Sequence, residues 1–223
     1  MFVLLMSIEI NIPDYILFED PFILVINKPA GLMVEPDRNG HSNLQQQVKK
    51  YLKTNLAVGE EVYAQHIHRL DRPVSGIILF AKQKSVLKNL SEQFAERKVK
   101  KYYQAITSNT PHDLNGVLEH WHRKEKKKAK LYSEEVEFSE KAKLSYTVEA
   151  QGEQYVWNIE LHTGKFHQIR AQLSAVGCPI IGDAKYDSHV PYRMDAIALH
   201  AYKLIFCHPI SGEEMVMETK GEE

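Results

Sequence analysis

The residues His68-Arg69-Leu70-Asp71-Arg72-Pro73-Val74-Ser75-Gly76 place one acid between two arginines, in a loop shaped by Pro and Gly, just before the apolar run Gly76–Ala81. Opposite charge favours the ionised form of a carboxylic acid. An ionised Asp suits a nucleophile or an anchor better than a general acid. The alternative is a structural turn in which Asp71 merely pairs with Arg69 or Arg72. A second group, Leu161-His162-Thr163-Gly164-Lys165-Phe166-His167-Gln168-Ile169-Arg170, runs from an alternating strand through Thr163-Gly164 into an amphipathic helix. Lys165 and His167 are expected in the first turn of that helix. Cations there oppose the helix dipole, so an anion should offset them, and phosphate is the natural candidate. Arg170 lies one turn on and is placed to reach toward an acid such as Asp71.

Several other chemistries lack their marks. The chain has no Gly-x-x-x-x-Gly-Lys-Ser/Thr loop, no Gly-x-Gly-x-x-Gly after a strand, no Gly-x-Ser-x-Gly elbow and no His-x-Glu with a Pro-Cys-x-x-Cys partner. His66 and His68 form a His-x-His pair expected on one strand face, as in metal sites, but no spacing brings further ligands to them, and a structural or RNA-facing role is favoured. Two cysteines, Cys178 and Cys207, make neither a disulfide framework nor a cysteine-rich zinc site, which fits a reducing compartment.

The charged residues are distributed unevenly. Twenty-eight Lys and Arg against 29 Asp and Glu give a net charge of −1. Nevertheless Arg97, Lys98, Lys100 and Lys101 stand together, as do Arg123, Lys124, Lys126, Lys127, Lys128 and Lys130, while acids gather at Glu134, Glu135, Glu137 and Glu140 and from Glu213 onward. Such sidedness is expected of a face that meets phosphate, and a solvated surface run is its alternative.

The elements that must position these groups are mostly strands. With 43% apolar and 26% charged residues in 223, the chain has the composition of a globular protein. Strand patterns cover Phe22–Asn27, Val62–His68, Gly76–Ala81, Lys101–Thr107, Gly116–Trp121, Lys143–Ala150, Tyr155–Leu161, Ile197–Phe206 and Glu214–Glu218. Helical stripes occur at Leu44/Val48/Tyr51/Leu52, at Val86/Leu90/Phe94 and at Phe166/Ile169/Leu173/Val176, the last stopped by Gly177. Strands that follow one another through turns predict an α+β fold with a mixed, largely antiparallel sheet and a few flanking helices. No repeat or linker divides the chain, so a single domain with its core at about residues 15–218 is expected. Met1–Met6 lack a basic n-region, and no apolar run approaches the ~20 residues of a membrane span. A soluble cytoplasmic protein, monomeric by default, is the resulting expectation.

His68–Gly76, Leu161–Arg170 and Gly182-Asp183-x-x-Tyr186 together resemble the RluA-type pseudouridine synthases. Asn27-Lys28-Pro29-Ala30-Gly31-Leu32-x-Val34 is similar to that family's Lys-Pro-x-Gly-Leu loop, and Leu199-His200-Ala201 with His208-Pro209 to its C-terminal strand motif. These five motifs stand in the family's order over Asn27–Glu214. Val74 stands where the family usually has Thr, Gln83 where a helix-capping Thr or Ser is usual, and Asp187 where Gly is common.

The resemblance implies isomerisation of a uridine within structured tRNA or rRNA, without cofactor or metal. It makes Asp71 the nucleophile, Tyr103 of Lys101-Tyr102-Tyr103-Gln104-Ala105 the ring that packs on uracil and helps remove the C5 proton, and Arg170 the partner that orients Asp71. Tyr102 would exchange places with Tyr103 if the register were off by one. Leu199 is expected to close the pocket wall. Lys28, His68, Arg69, Arg72, Lys165, His167 and Gln168 are the expected RNA contacts near the site, and Lys126, Lys127 and Lys128, within Arg123–Lys130, would grip a more distant strand. The target base must leave its stack. Residues before Asp20 are too few for the S4 RNA-binding module of many relatives, so a minimal catalytic domain is expected. Two other readings stand beside it: a non-catalytic RNA-binding protein or chaperone on the same fold, and a metal nuclease using His66 and His68.

Overall fold

A computed structural model describes residues 8–36, 40–54 and 61–221. Met1–Met6 and the last two glutamates lie outside them. The strands are β1 (Ile16–Glu19), β2 (Ile23–Lys28), β3 (Gln65–His66), β4 (Ser75–Ala81), β5 (Lys100–Thr107), β6 (Asn115–Glu125), β7 (Lys128–Tyr132), β8 (Glu140–Gln151), β9 (Gln154–Leu161), β10 (Leu199–Cys207) and β11 (Glu214–Glu218). The helices are α1 (Leu44–Lys53), α2 (Lys84–Ala95) and α3 (Gln168–Ala175). All described strands join one sheet in the order β1-β2-β4-β10-β5-β9-β8-β6-β7, with β3 beside β4 and β11 beside β10. The pairings are antiparallel except β4 with β10, where Ser75 and Gly76 meet His200 and Ala201.

Strand alternation divides the core between the two faces of the sheet. Leu24, Ile26, Ile78 and Phe80 join Tyr103, Trp157 and Ile159 beneath α1 and α3. Ile23, Val25, Ile77 and Leu79 point the other way, into a smaller cluster with Val86 and Leu90 of α2. Because β2 and β4 are covered on both sides they are apolar at nearly every position, whereas β6 alternates with exposed polar residues. The parallel contact depends on Gly76, whose φ is 121°; a Cβ there would lie 2.3 Å from the Ala201 carbonyl oxygen.

The fold has the expected mixed, largely antiparallel sheet, and three details differ from the sequence pattern. The Val62–His68 pattern yields only Gln65–His66 as strand, so the histidines do not share a face. His66 lies edge-on to Phe80 over the α1 side, while His68 stacks on Phe94 of α2 at 5.1 Å. That separation removes the two-histidine metal site. β1 has too few residues to show alternation, and β7 is hidden in its lysines. Arg123–Lys130 is thus the turn end of the β6–β7 hairpin, bending at Lys126 with φ 53°, and its lysines are exposed.

Candidate active site

Asp71 sits in the loop that enters β4. The Val74 N–H closes that loop onto the Asp71 carbonyl at 3.0 Å, and Ile197 N–H fixes the Pro73 carbonyl at 3.1 Å. Beneath it the Lys28–Leu32 loop acts as a clamp. Gly31 N–H donates to the Arg72 carbonyl at 2.8 Å and Arg72 Nε returns a bond to the Gly31 carbonyl at 2.9 Å. Gly31 has φ 81°, a conformation glycine adopts without strain. Lys28 is fully buried and its ammonium donates to the Pro29 and Leu32 carbonyls, both at 2.8 Å. It is therefore a loop tether and not the RNA contact expected from the sequence.

Three other elements bring their side chains to Asp71. Tyr103 on β5 and Leu199 at the start of β10 are both buried, and Arg170 extends from the first turn of α3. Arg170 Nη1 donates to Asp71 Oδ2 at 2.8 Å, while Nε and Nη2 form a fork on Asp183 at 2.7 and 2.8 Å. The Tyr186 ring lies against the guanidinium at 5.2 Å. These carboxylates hold the Arg170 guanidinium charged against the desolvation that opposes it, raising its pKa above the ordinary Arg range. Asp71 is thus oriented by a cation that Asp183 itself fixes. Its sequence neighbours turn elsewhere, Arg69 to Glu35 and Arg72 to Asp195, which removes the simple turn pairing.

Asp71, Tyr103 and Leu199, together with Val74, Leu161 and Ile169, line a cavity of about 140 Å³. Pockets for drug-sized ligands run to roughly 300–1,000 Å³, so this one suits a single ring with the rest of a larger molecule outside. Val74, Tyr103, Leu161, Ile169 and Leu199 form the apolar part of its lining, Arg69, Lys165, His167 and Gln168 the polar part, and Asp71 is its carboxylate, with a side chain 26% exposed. Tyr102 faces the opposite side of β5, beside Tyr202, which settles the register in favour of Tyr103. Burial, with the Asp71 charge adding to it, pushes the Tyr103 phenol far above its ordinary range. Its hydroxyl is therefore protonated at physiological pH.

The segment before α3 departs from the sequence reading. The helix begins at Gln168, so Lys165 and His167 precede it rather than occupy its first turn, and His167 takes a left-handed conformation with φ 52°. Lys165 lines the pocket and pairs with Glu140. Gln168, 3% exposed, accepts from Thr163 Oγ1 at 2.7 Å and Lys165 N–H at 3.0 Å and donates to the Lys143 carbonyl at 3.2 Å. It closes the loop and has no edge left for RNA. His167 is stacked on Phe166 at 3.7 Å, with Nδ1 2.9 Å from the Tyr186 hydroxyl and Nε2 3.5 Å from Asp71. Burial lowers it to about 4, despite the pull of Asp71, so the ring is neutral and supplies no charge to a phosphate. His68 faces α2, away from the pocket, and burial lowers it to about 3.

The basic hairpin is near the site, not distant from it. Lys124 lies over the Phe166 ring at 4.6 Å and Lys128 over Tyr186 at 5.8 Å, and Ala129 N–H donates to the Tyr186 hydroxyl at 2.8 Å. Lys126, Lys127 and Lys128 are exposed on its turn. Asp183 and Tyr186 are site residues to which sequence reasoning gave no role, although the spacing Gly182-Asp183-x-x-Tyr186 marked them. At the next position Asp187 takes φ 69°, the left-handed conformation for which Gly is suited and Asp tolerable.

The sequence model described as RNA pseudouridylate synthase matches residues 22–175, a stretch that includes Asp71, Tyr103 and Arg170. The chain belongs to this family. Over 93% of its own length and 93% of the other's, it is 31% identical to a protein of Haemophilus influenzae named dual-specificity RNA pseudouridine synthase RluA. It is also 31% identical, over 96% of its length and 71% of the other's, to an uncharacterized RNA pseudouridine synthase of Aquifex aeolicus. Some curated relatives are longer, the chain spanning 61–64% of their length. Among solved structures, human RNA pseudouridylate synthase domain containing 4 superposes with a TM-score of 0.76 at 25% identity, covering 94% of this chain and 89% of the other. Membership makes the chain an enzyme of the isomerase class acting on RNA. No helix among the described residues is long and apolar enough to cross a membrane.

Proposed function

We propose that the chain converts a particular uridine in structured tRNA or rRNA to pseudouridine, with Asp71 as nucleophile and the target nucleotide flipped out of its stack. The observation that carries this reading is the pairing of Asp71 with Arg170 beside a ring-sized cavity that Tyr103 and Leu199 line. The uracil enters between Tyr103 and Leu199, and C1′ comes to rest at the cavity mouth beside Asp71. Asp71 forms a transient covalent bond to the nucleotide, the bond from C1′ to N1 breaks, the base turns, C1′ joins C5 as the bond to Asp71 is broken again, the C5 hydrogen leaves to water and N1 takes a proton. Atoms therefore balance with no cofactor, metal or external oxidant. Arg170, anchored by Asp183, keeps the Asp71 carboxylate aimed and ionised before its attack and again on its release.

Tyr103 contributes its ring face, since a phenol so strongly raised stays protonated. Tyr103→Phe keeps that face and is expected to retain most turnover. RNA is gripped by the exposed lysines of the β6–β7 turn, and by Arg69 and Lys165 at the pocket rim. Flipping costs roughly a few kcal/mol, least in loops and bulges, which favours unpaired target uridines. Relatives of Pasteurella multocida named ribosomal large subunit pseudouridine synthase C and tRNA pseudouridine synthase C are the basis for keeping both tRNA and rRNA as substrate classes. The test is nucleoside analysis of cellular tRNA and rRNA after incubation with the parent protein and with Asp71→Asn. Pseudouridine is expected to rise with the parent only; an equal rise with both would refute the nucleophile.

A further inference from the structure

A second cavity, of about 350 Å³, shares Asp71 and His167 with the first and reaches Arg170, which the first does not. It is lined as well by Arg72, Lys185 and Asp195. The three cations around it differ in what holds them. Arg170 is committed to Asp71 and Asp183, and Arg72 to the Gly31 carbonyl and Asp195. Lys185 is exposed and has no carboxylate partner among the described residues. It stands in the short 3-10 turn Ala184–Tyr186, held in place by the buried Asp183 and Tyr186 on either side.

We propose that Lys185 binds a phosphodiester flanking the flipped uridine. The inference rests on the proposed reaction. With the base in the ring-sized cavity and C1′ at Asp71, the sugar-phosphate chain has to leave past the carboxylate. There it meets a cavity large enough for a ribose phosphate and an ammonium whose charge nothing else has neutralised. Asp71, Asp183 and Asp195 are taken up by Arg170 and Arg72, which leaves Lys185 as the cation of this group to which a phosphodiester can bond directly.

The experiment has two arms. In the first, turnover is followed as tritium release from bulk cellular RNA labelled at uracil C5, with the parent, Lys185→Ala and Lys185→Arg. Lys185→Ala is expected to raise KM roughly three- to tenfold, as for loss of one charge-assisted contact, with kcat near the parent's, and Lys185→Arg to restore KM. In the second, binding of the same RNA, unlabelled, to Asp71→Asn with and without Lys185→Ala is measured across a salt series. Loss of one phosphate contact should flatten the slope of log affinity against log salt by about 0.7–0.9. An unchanged slope, or a fall in kcat at constant KM, overturns the assignment. Absence of tritium release from the parent would refute the proposed reaction instead, while the slope would still report the contact.

Discussion

Asp183→Asn separates the two things the Arg170 guanidinium does. Arg170 and Asp183 have side-chain exposures of 6% and 1%, and two of the three hydrogen bonds from the guanidinium to carboxylates end on Asp183. Removing one partner of a buried ion pair costs about 3–5 kcal/mol, because the remaining charge stays buried. The Asn amide also turns one acceptor into a donor facing a cation. Asp71 supplies a single bond from a side chain 26% exposed, where water screens the charge, so Asp71→Asn should cost only about 1 kcal/mol. With a urea m-value of about 2–3 kcal/mol/M, Asp183→Asn lowers the unfolding midpoint by about 1–2 M, and Asp71→Asn by a few tenths. Turnover should rank the other way, with Asp71→Asn inactive and Asp183→Asn impaired. Equal midpoints for the two variants, or a larger loss in Asp71→Asn, would refute the claim that Asp183 is the structural half of the pair.

Three further outcomes are expected. Burial lowers His68 to about 3 and both His167 and His200 to about 4, so between about pH 6.5 and 4 the unfolded chain binds protons the folded one refuses, and stability falls with falling pH by up to about 1.4 kcal/mol per unit for each group; urea midpoints that stay level from about pH 6.5 to 5 would contradict this. Gln83 occupies the N-cap of α2 with extended backbone and no capping side-chain bond, so Gln83→Asp should stabilise by about 1 kcal/mol, a rise of about 2–4 °C in Tm by calorimetry. Replacing Lys126, Lys127 and Lys128 together by Ala should weaken RNA binding and flatten its salt slope by about 0.7–0.9 for each lost contact, and an unchanged slope would return the hairpin turn to a solvated face.

What the sequence made legible depended on how local the physics was. Strand alternation and helical stripes are local, and the sheet with its three helices follows them closely. Asp71, Tyr103 and Arg170 were marked by motifs in order, and the structure sets Asp71 and Tyr103 around one cavity with Arg170 bonded to Asp71. The ion pairs are not local. Asp71 meets Arg170 across 99 positions, while the arginines beside it in sequence cross to Glu35 and Asp195. Lys28 and Gln168 have the side chains of RNA contacts, yet both are spent on backbone carbonyls and loop closure, which only their burial reveals. The lysine run concealed a strand because charge masks β alternation, and its turn lies over Phe166 and Tyr186 through pairings that no local pattern encodes.

The most direct test of the central claim is tritium released to water from cellular RNA labelled at uracil C5, with the parent protein and Asp71→Asn side by side. Joining C1′ to C5 must shed that hydrogen. The account predicts release by the parent and none above background by the variant; release at equal rates from both would contradict it.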